Sequence, residues 1–286
     1  MPLKKLEVVR PGPFATVQDL GRPGLAAIGV GRSGAADRRS FRLANRLVGN
    51  PEGCAAIEAT LGGLVVRFTE HAVVAVTGAP CAITAGARAA GMSAPIPVRP
   101  GDEVSLATPD NGLRSYLAVR GGIDVPPVLG SRATDTMARL GPAALTPGCV
   151  LPVGTPSLPH PPVDLAPQRP FPDELVLRVV PGPRLDWFAE DALTSLLSAP
   201  HRVTAEADRV GIRLDGPVLR RARGDELPPE AGVLGALQVP PSGHPILFLA
   251  DHPVTGGYPV PAVVLEDDVD LAAQARPGQS IRFSAP

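Results

Sequence analysis

The polar residues with the means to do chemistry fall in a few short stretches of otherwise apolar sequence. "TVQDLGRPG" (16–24) gathers Gln18, Asp19 and Arg22 into a glycine-rich turn. "EADRVGIRL" (206–214) sets Asp208 and Arg209 beside Gly211, and "GALQVPPSGHPILFLADHPVTGGYP" (235–259) places Gln238, Asp251, Thr255 and Tyr258 around strand ends and a Gly-Gly turn. Asp37 precedes a helical pattern, and Glu58 lies inside the apolar run "AIEATLGG" (56–63). By type, an arginine grips a carboxylate with paired N–H donors, a carboxylate acts as a base on water, and an amide or phenol donates to a developing oxyanion. Each stretch also has a plainer structural use. Asp19–Arg22 forms a turn pair, Glu58 a carboxylate bonded to backbone amides, Asp208–Arg209 a bridge ordering a loop, and Thr255 and Tyr258 the end of a hairpin. Polar clusters on loops beside rigid strands are where sites usually sit.

Other chemistries lack their residues. The five histidines, His71, His160, His201, His244 and His252, have no ligand spacing, so no metal site is expected. No G-x-S-x-G elbow occurs. Lys4 and Lys5 are the only lysines, which removes any interior Schiff base, biotin attachment point or phosphate-loop lysine. Cys54, Cys81 and Cys149 form no C-x-x-C and read as reduced thiols of a cytoplasmic protein. A net charge of −1 gives no electrostatic ground for nucleic acid or an anionic membrane as partner. The absence of a leader pattern or a long apolar run fits a soluble, unexported chain. "GVGRSG" (29–34) has the G-x-G-x-x-G spacing of a dinucleotide fingerprint, but that motif needs a buried strand before it and a βαβ crossover after it. Here the turn-rich "QDLGRPGLAAI" precedes it, so the glycines are expected to shape a loop entering a helix, with Ser33 or Asp37 near the helix start.

The elements that must hold these groups are mostly strands. Short apolar or alternating runs at 6–10, 63–68, 72–78, 103–107, 115–122, 174–180, 244–250 and the C-terminal "SIRFSAP" are separated by turns rich in the 36 prolines and 31 glycines. Helices are expected in "ADRRSFRLANRLVGN", in "RLDWFAEDALTSLLSAP" and in "DDVDLAAQA". The proline-rich stretch 156–172 reads as a linker between domains at 1–155 and 173–286. The halves echo each other: "VVRPGPFATVQD" and "VVPGPRLDWF", then "RPGDEVSLA" and "RPGQSIRFS". Two β-barrel-like units of related plan are therefore expected.

The blocks "PGPFATVQDLGRPG", "SGAAD…LANRLVGNP", "AAIEATLGG", "AVTGAP", "YLAVRGGIDVPPVLGSRAT", "ADRVGIRLDGP", "GALQVPPSGHPILFLADHPVTGGYP" and "QARPGQSIRF" resemble, in order, the signature blocks of the biotin-dependent carboxyltransferase family. Its members are also called the C subunit of 5-oxoprolinase, KipA or allophanate hydrolase subunit 2. The resemblance implies a mainly β fold of two cyclophilin-like β-barrel domains with a few short helices. It implies the C subunit of an ATP-dependent 5-oxoprolinase, working with a KipI-like B subunit, together with an A subunit. ATP would be used by the assembled complex, with no cofactor bound by this chain alone. For such a reaction Asp208, Tyr258 and Asp37 are the catalytic candidates. Gln18, Asp19, Arg22, Arg209, Gln238, Asp251 and Thr255 are the substrate-binding ones. Two alternatives stay open: carboxyl transfer or allophanate hydrolysis on urea-derived amides, with biotin carried elsewhere, and a KipA-like regulatory protein binding a kinase inhibitor. The chain departs from the family pattern at Ala133-Thr134-Asp135, where Ser-Thr-Tyr is typical, and in "LGPAALTPG", where a Gly-Arg loop is typical. It departs again at Ala207 in place of Ser and at Val260 in place of Lys. These positions bear on which substrate is taken.

Overall fold

A computed structural model of the chain describes residues 4–168 and 170–286. The fold is mainly β, with short helices, and divides into two compact units. The units are not contiguous in sequence. The first contains residues 1–22, 37–135 and 139–171; the second contains 172–286 together with 23–36 and 136–138.

In the first unit two sheets enclose one core. The six-stranded sheet runs in the order Val150–Pro152, Lys5–Pro11, Leu64–Phe68, Glu103–Leu106, Ile83–Ala85, Arg88–Ala90. The five-stranded sheet runs Phe14–Gln18, Ala56–Thr60, Arg114–Val119, Ala72–Gly78, Ile96–Val98, all antiparallel. Period-two alternation decides what faces inward. Leu6 and Val8 of the first sheet, with Leu64, Val66 and Phe68, meet Val17, Ile57, Val76 and Leu117 of the second. Because Thr16, Glu58, Tyr116 and Thr77 occupy the alternate positions in register, they form a row across the other face of the five-stranded sheet.

The helix Arg38–Leu47 packs on that face, against the strands Ala72–Gly78 and Arg114–Val119. Asp37 caps it, accepting from the Ser40 amide at 2.9 Å. Phe41, Ala44 and Leu47 form its buried stripe, and Gly49 ends it with a φ of 66° that a side chain would strain. The stretch expected to be a linker carries no regular structure in its described residues, yet it is bonded along the first unit. Leu158 O accepts from Arg120 Nη2, Ala166 N donates to Ser93 O, and Phe171 O accepts from Asn111 Nδ2.

The second unit is a closed barrel of seven strands: Glu174–Pro181, Ala262–Val264, Ala236–Gln238, Ile246–Phe248, Gly211–Asp215, His201–Val203 and Ser280–Ser284. Leu175, Leu177, Val179, Ile212, Leu214, Leu237, Leu247, Ile281 and Phe283 fill it. The helix expected over "RLDWFAEDALTSLLSAP" is broken into a single turn at Leu185–Trp187 and a helix Ala192–Ser198. Phe188 is the reason: its backbone is extended (φ −115°, ψ 163°), it bridges Arg221, and its ring is buried in the barrel core. The third expected helix forms at Glu266–Ala272.

The echoed "RPG" segments have one geometry in both units. The amides of Asp102 and Gln279 each donate to the arginine carbonyl three residues back, at 3.0 Å. Gly101 and Gly278 have φ of 85° and 87°. That is the turn Pro-Gly specifies, with proline supplying the first dihedral and glycine the positive one. Among the described residues no helix is long and apolar enough to cross a membrane, and no group of three or more His, Cys, Asp or Glu is placed to hold a metal ion.

Candidate functional site

The polar face of the five-stranded sheet is buried. Thr16 and Tyr116 have no exposure, and Glu58 and Thr77 have almost none. Tyr116 donates its phenol proton to Glu58 Oε2 at 2.8 Å and accepts the Asp37 amide at 2.7 Å. Burial raises the Tyr116 phenol well above its ordinary pKa, and the negative charges of Glu58 and Asp37 push the same way. The phenol therefore stays protonated, as a donor. Arg114 Nε lies 3.7 Å from Glu58 Oε1. Asp37 thus has both carboxylate oxygens on Ser40 and its amide on Tyr116.

At the edge of this sheet, Gln18 Nε2 donates to Thr16 Oγ1 at 3.0 Å and to the Thr134 carbonyl at 2.9 Å. A carbonyl only accepts, so this contact fixes which end of the amide faces it. It leaves Gln18 Oε1 buried without a hydrogen-bond partner. Arg22 is similar: Nη2 donates to the Ala133 carbonyl at 2.6 Å, while Nε and Nη1 find no hydrogen bond. Its nearest charge is Asp135 Oδ2, 3.9 Å from Nη1. Asp19 is engaged, accepting from Gly21 N, Ser131 Oγ and Arg132 N. Two of the three residues read from "TVQDLGRPG" therefore keep unsatisfied polar atoms, and the third braces the 131–132 backbone.

In the second unit Arg209 and Asp251 pair. Arg209 Nε lies 3.0 Å from Asp251 Oδ2 and Nη2 lies 3.1 Å from Oδ1, both side chains being buried. Ser33 Oγ donates to Oδ1 at 2.6 Å; Thr136 donates to Oδ2 through its amide at 3.0 Å and its hydroxyl at 2.7 Å. Arg209 Nη2 also reaches the Gly34 carbonyl. Burial alone would raise the Asp251 pKa, but the Arg209 charge and the hydrogen bonds from Arg209, Ser33 and Thr136 outweigh it and hold the carboxyl below its ordinary value. This knot fastens residues 23–36 and 136–138 to the barrel unit.

The remaining residues singled out from the second half lie outside that knot. Asp208 is exposed, its Oδ1 holding the amides of Val210 and Gly211. Gln238 Nε2 donates to the Tyr258 carbonyl at 3.2 Å, and a Cβ on Gly256 would collide with that amide. The Tyr258 side chain is 43% exposed, with the Arg221 guanidinium 5.8 Å from its ring centre. Thr255 is exposed and pairs with Ala231 in a two-stranded sheet. Tyr116, Arg114, Ser131 and Thr136 were not visible as site residues in the sequence. The register that sets Tyr116 opposite Glu58 shows the first two, and the bonds to Asp19 and Asp251 show Ser131 and Thr136.

The glycines of "GVGRSG" follow a single helical turn at Ala26–Ile28, where a fingerprint would have a strand. The helix after them leads to Ala56–Thr60, which pairs antiparallel with both its neighbours. Ser33 and Gly34 serve the Asp251–Arg209 knot instead. Calorimetric titration with NAD, NADP or FAD to about millimolar concentration, a range in which even weak binding is seen, is expected to show no saturable heat. Saturable binding lost in Gly31→Ala would overturn this.

Comparison with known proteins places the chain. It is 36% identical over 281 residues to the C subunit of 5-oxoprolinase from Escherichia coli (strain K12), covering 97% of this chain and 90% of that protein. It is 36% identical to urea amidolyase of Lachancea kluyveri, covering 97% of this chain but 17% of the relative. The crystal structure of TTHA0988 superposes with a TM-score of 0.91 at 38% identity, covering 99% of this chain and 56% of that one. That of the K. lactis urea amidolyase gives 0.91 at 33% identity over 98% of this chain and 18% of that one. The family model described as carboxyltransferase domain, subdomain A and B, matches residues 28–285, and the chain belongs to that family.

Proposed function

We propose that this chain is the C-type subunit of an ATP-dependent 5-oxoprolinase, opening the ring amide of 5-oxoproline to glutamate with a KipI-like B subunit, together with an A subunit. The observation that carries this reading is end-to-end similarity: the match to the 5-oxoprolinase C subunit spans 97% of this chain and 90% of the relative. A ring amide is resonance-stabilised, so water attacks it only after the carbonyl oxygen is activated, for instance by phosphorylation. With lysines only at 4 and 5 the chain has no phosphate-loop lysine, and ATP is assigned to the other subunits. The unsatisfied groups of the first unit suit an amide. Arg22 Nε and Nη1 are donors for a carbonyl oxygen, and Gln18 Oε1 is an acceptor for an amide N–H. Within the second unit Tyr258 and Asp208 are the proposed acting groups, while the Asp37 carboxylate of the first is engaged in its helix cap.

The test is co-expression with the two partner subunits followed by an assay for ATP-dependent glutamate formation. Activity is expected of the assembly and none of this chain alone; turnover by the purified chain would overturn the division of labour. Within the assembly, Asp208→Asn is expected to cut turnover at least about tenfold, the low end of what a general base contributes. The change keeps the Oδ1 acceptor that holds Val210 and Gly211, so stability should move by less than about 0.5 kcal/mol. Full activity in Asp208→Asn would reduce this aspartate to a turn residue.

The urea amidolyase relatives favour a second reading, carboxyl transfer to a urea-type amide. No interior lysine exists to attach biotin, so the carrier would be another protein. Urea-dependent loss of carboxyl from carboxybiotin, without glutamate formation from 5-oxoproline, would select it.

A further inference from the structure

A cavity of about 170 Å³ opens on the first unit, away from every residue assigned above. It slightly exceeds the ~150 Å³ that admits a benzene-sized guest in an engineered protein core. Its floor is apolar, with Phe68, Val73 and Val153 among its lining residues. Its rim carries Lys4 and Lys5, the only two lysines of the sequence, together with Glu70. Lys4 Nζ donates to the His71 carbonyl at 3.3 Å. Arg120 also lines the cavity, but its guanidinium is spent on the carbonyls of Val48 and Leu158. Among the described residues neither the Lys5 ammonium nor the Glu70 carboxylate is in a hydrogen bond or ion pair.

A cation and an anion left apart on one rim, above an apolar floor, complement a guest that carries both charges. We propose that this cavity binds a small α-amino acid as its zwitterion. The guest carboxylate meets Lys5, with Lys4 beside it; the guest ammonium meets Glu70; and a short aliphatic side chain covers the floor. A simple carboxylate would leave Glu70 opposed by nothing and bring a second negative charge toward it. A simple amine would do the same to the lysines. The polar contacts are solvent-exposed, and such pairs are individually weak, so the affinity should be on the order of millimolar. Binding at this place is independent of the proposed reaction, since it needs neither ATP nor the partner subunits.

The experiment is calorimetric or NMR titration of the isolated chain with L-2-aminobutyrate, with butyrate and propylamine as probes that each lack one charge type. L-2-aminobutyrate is expected to saturate. Lys5→Gln and Glu70→Gln should each weaken it at least about threefold, the ratio that ~0.6 kcal/mol per exposed pair gives, and both one-sign probes should bind more weakly than the zwitterion. Both residues are at the surface, and a thermal melt matching the parent chain shows that each variant is folded. Butyrate binding as tightly as L-2-aminobutyrate, with no response to Glu70→Gln, would overturn the zwitterion assignment. No saturation by any of the probes would overturn the site.

Discussion

Asp251→Ala is expected to destabilise the second unit by about 3–5 kcal/mol, the cost of leaving one member of a buried ion pair alone. The carboxylate does more than neutralise Arg209. It accepts from Arg209, from Ser33 and twice from Thr136, so its removal strands a buried guanidinium together with the Ser33 and Thr136 donors. Two stretches distant in sequence, 23–36 and 136–138, lose a common anchor with it. The local signature should be faster hydrogen exchange at the Thr136 amide, which donates to Asp251 Oδ2. At about 2–4 °C per kcal/mol for domains of this general size, the melting transition should fall by roughly ten degrees. The double variant Arg209→Met with Asp251→Leu should recover the part of the loss that comes from the stranded guanidinium, since apolar replacement of a buried pair is often neutral, while the Ser33 and Thr136 donors stay unpaired. If Asp251→Ala melts with the parent chain, the knot is ornament and its residues are free for another role.

The same carboxyl sets a pH dependence whose sign follows from its environment. Burial opposes its ionisation, but Arg209 and the surrounding donors win, and its folded pKa lies below the ordinary value of 3.8. A depressed carboxyl contributes stability that is complete above the unfolded pKa and is lost as pH falls through the folded one. Acid below about pH 4 should therefore loosen the 23–36 and 136–138 segments, and Asp251→Asn, already lacking the charge, should show a shallower acid limb. His201 adds to the acid side. Buried and lowered in pKa by desolvation, with a hydrogen bond to the Leu196 carbonyl only partly opposing, it disfavours its charged form in the fold. Its contribution is complete above the unfolded value near 6.5 and declines as pH falls below it.

How much of this was written locally in the sequence differs from element to element. Strands with clean alternation, such as Lys5–Pro11 and Glu174–Pro181, and the two Pro-Gly turns were legible because their determinants are local: side-chain period and backbone dihedrals. The capped helix Arg38–Leu47 was legible for the same reason. The break at Phe188 was not, since it depends on a barrel core and on pairing with Arg221, far along the chain. The strand Ala56–Thr60 was hidden by Glu58, a charge within an apolar run. Its partner, Tyr116, becomes apparent only when register places the two opposite each other. Likewise "ADRVG" and "LADHP" announced Arg209 and Asp251 as polar residues on loops, but neither block says that they pair, or that Ser33 of a glycine loop completes the set. Local chemistry named the members; non-local pairing decided their company.

That pairing gives Tyr116→Phe the second large effect. The phenol oxygen joins two groups: it donates to Glu58 and accepts the amide of Asp37, the residue that caps the helix Arg38–Leu47. Phenylalanine keeps the ring, and with it the edge-on contact to Phe41 at 6.0 Å between centroids, so packing is nearly preserved. What is lost is one donor to a carboxylate and one acceptor for an amide, both buried. At about 1–3 kcal/mol for each group left without its partner, the first unit should lose roughly 2–6 kcal/mol. Glu58→Gln should cost less, about 1–3 kcal/mol, because a side-chain oxygen still faces Tyr116 while the charge near Arg114 disappears. The two changes share one bond, so their effects should not add, and a coupling of about 0.5–3 kcal/mol is expected from the double variant. Additive effects would mean that Tyr116 and Glu58 act separately. A Tyr116→Phe chain with unchanged melting temperature would show that the Asp37 amide and Glu58 find other partners at no cost, and that the Asp37 side-chain cap on Ser40 holds the helix start without help from Tyr116.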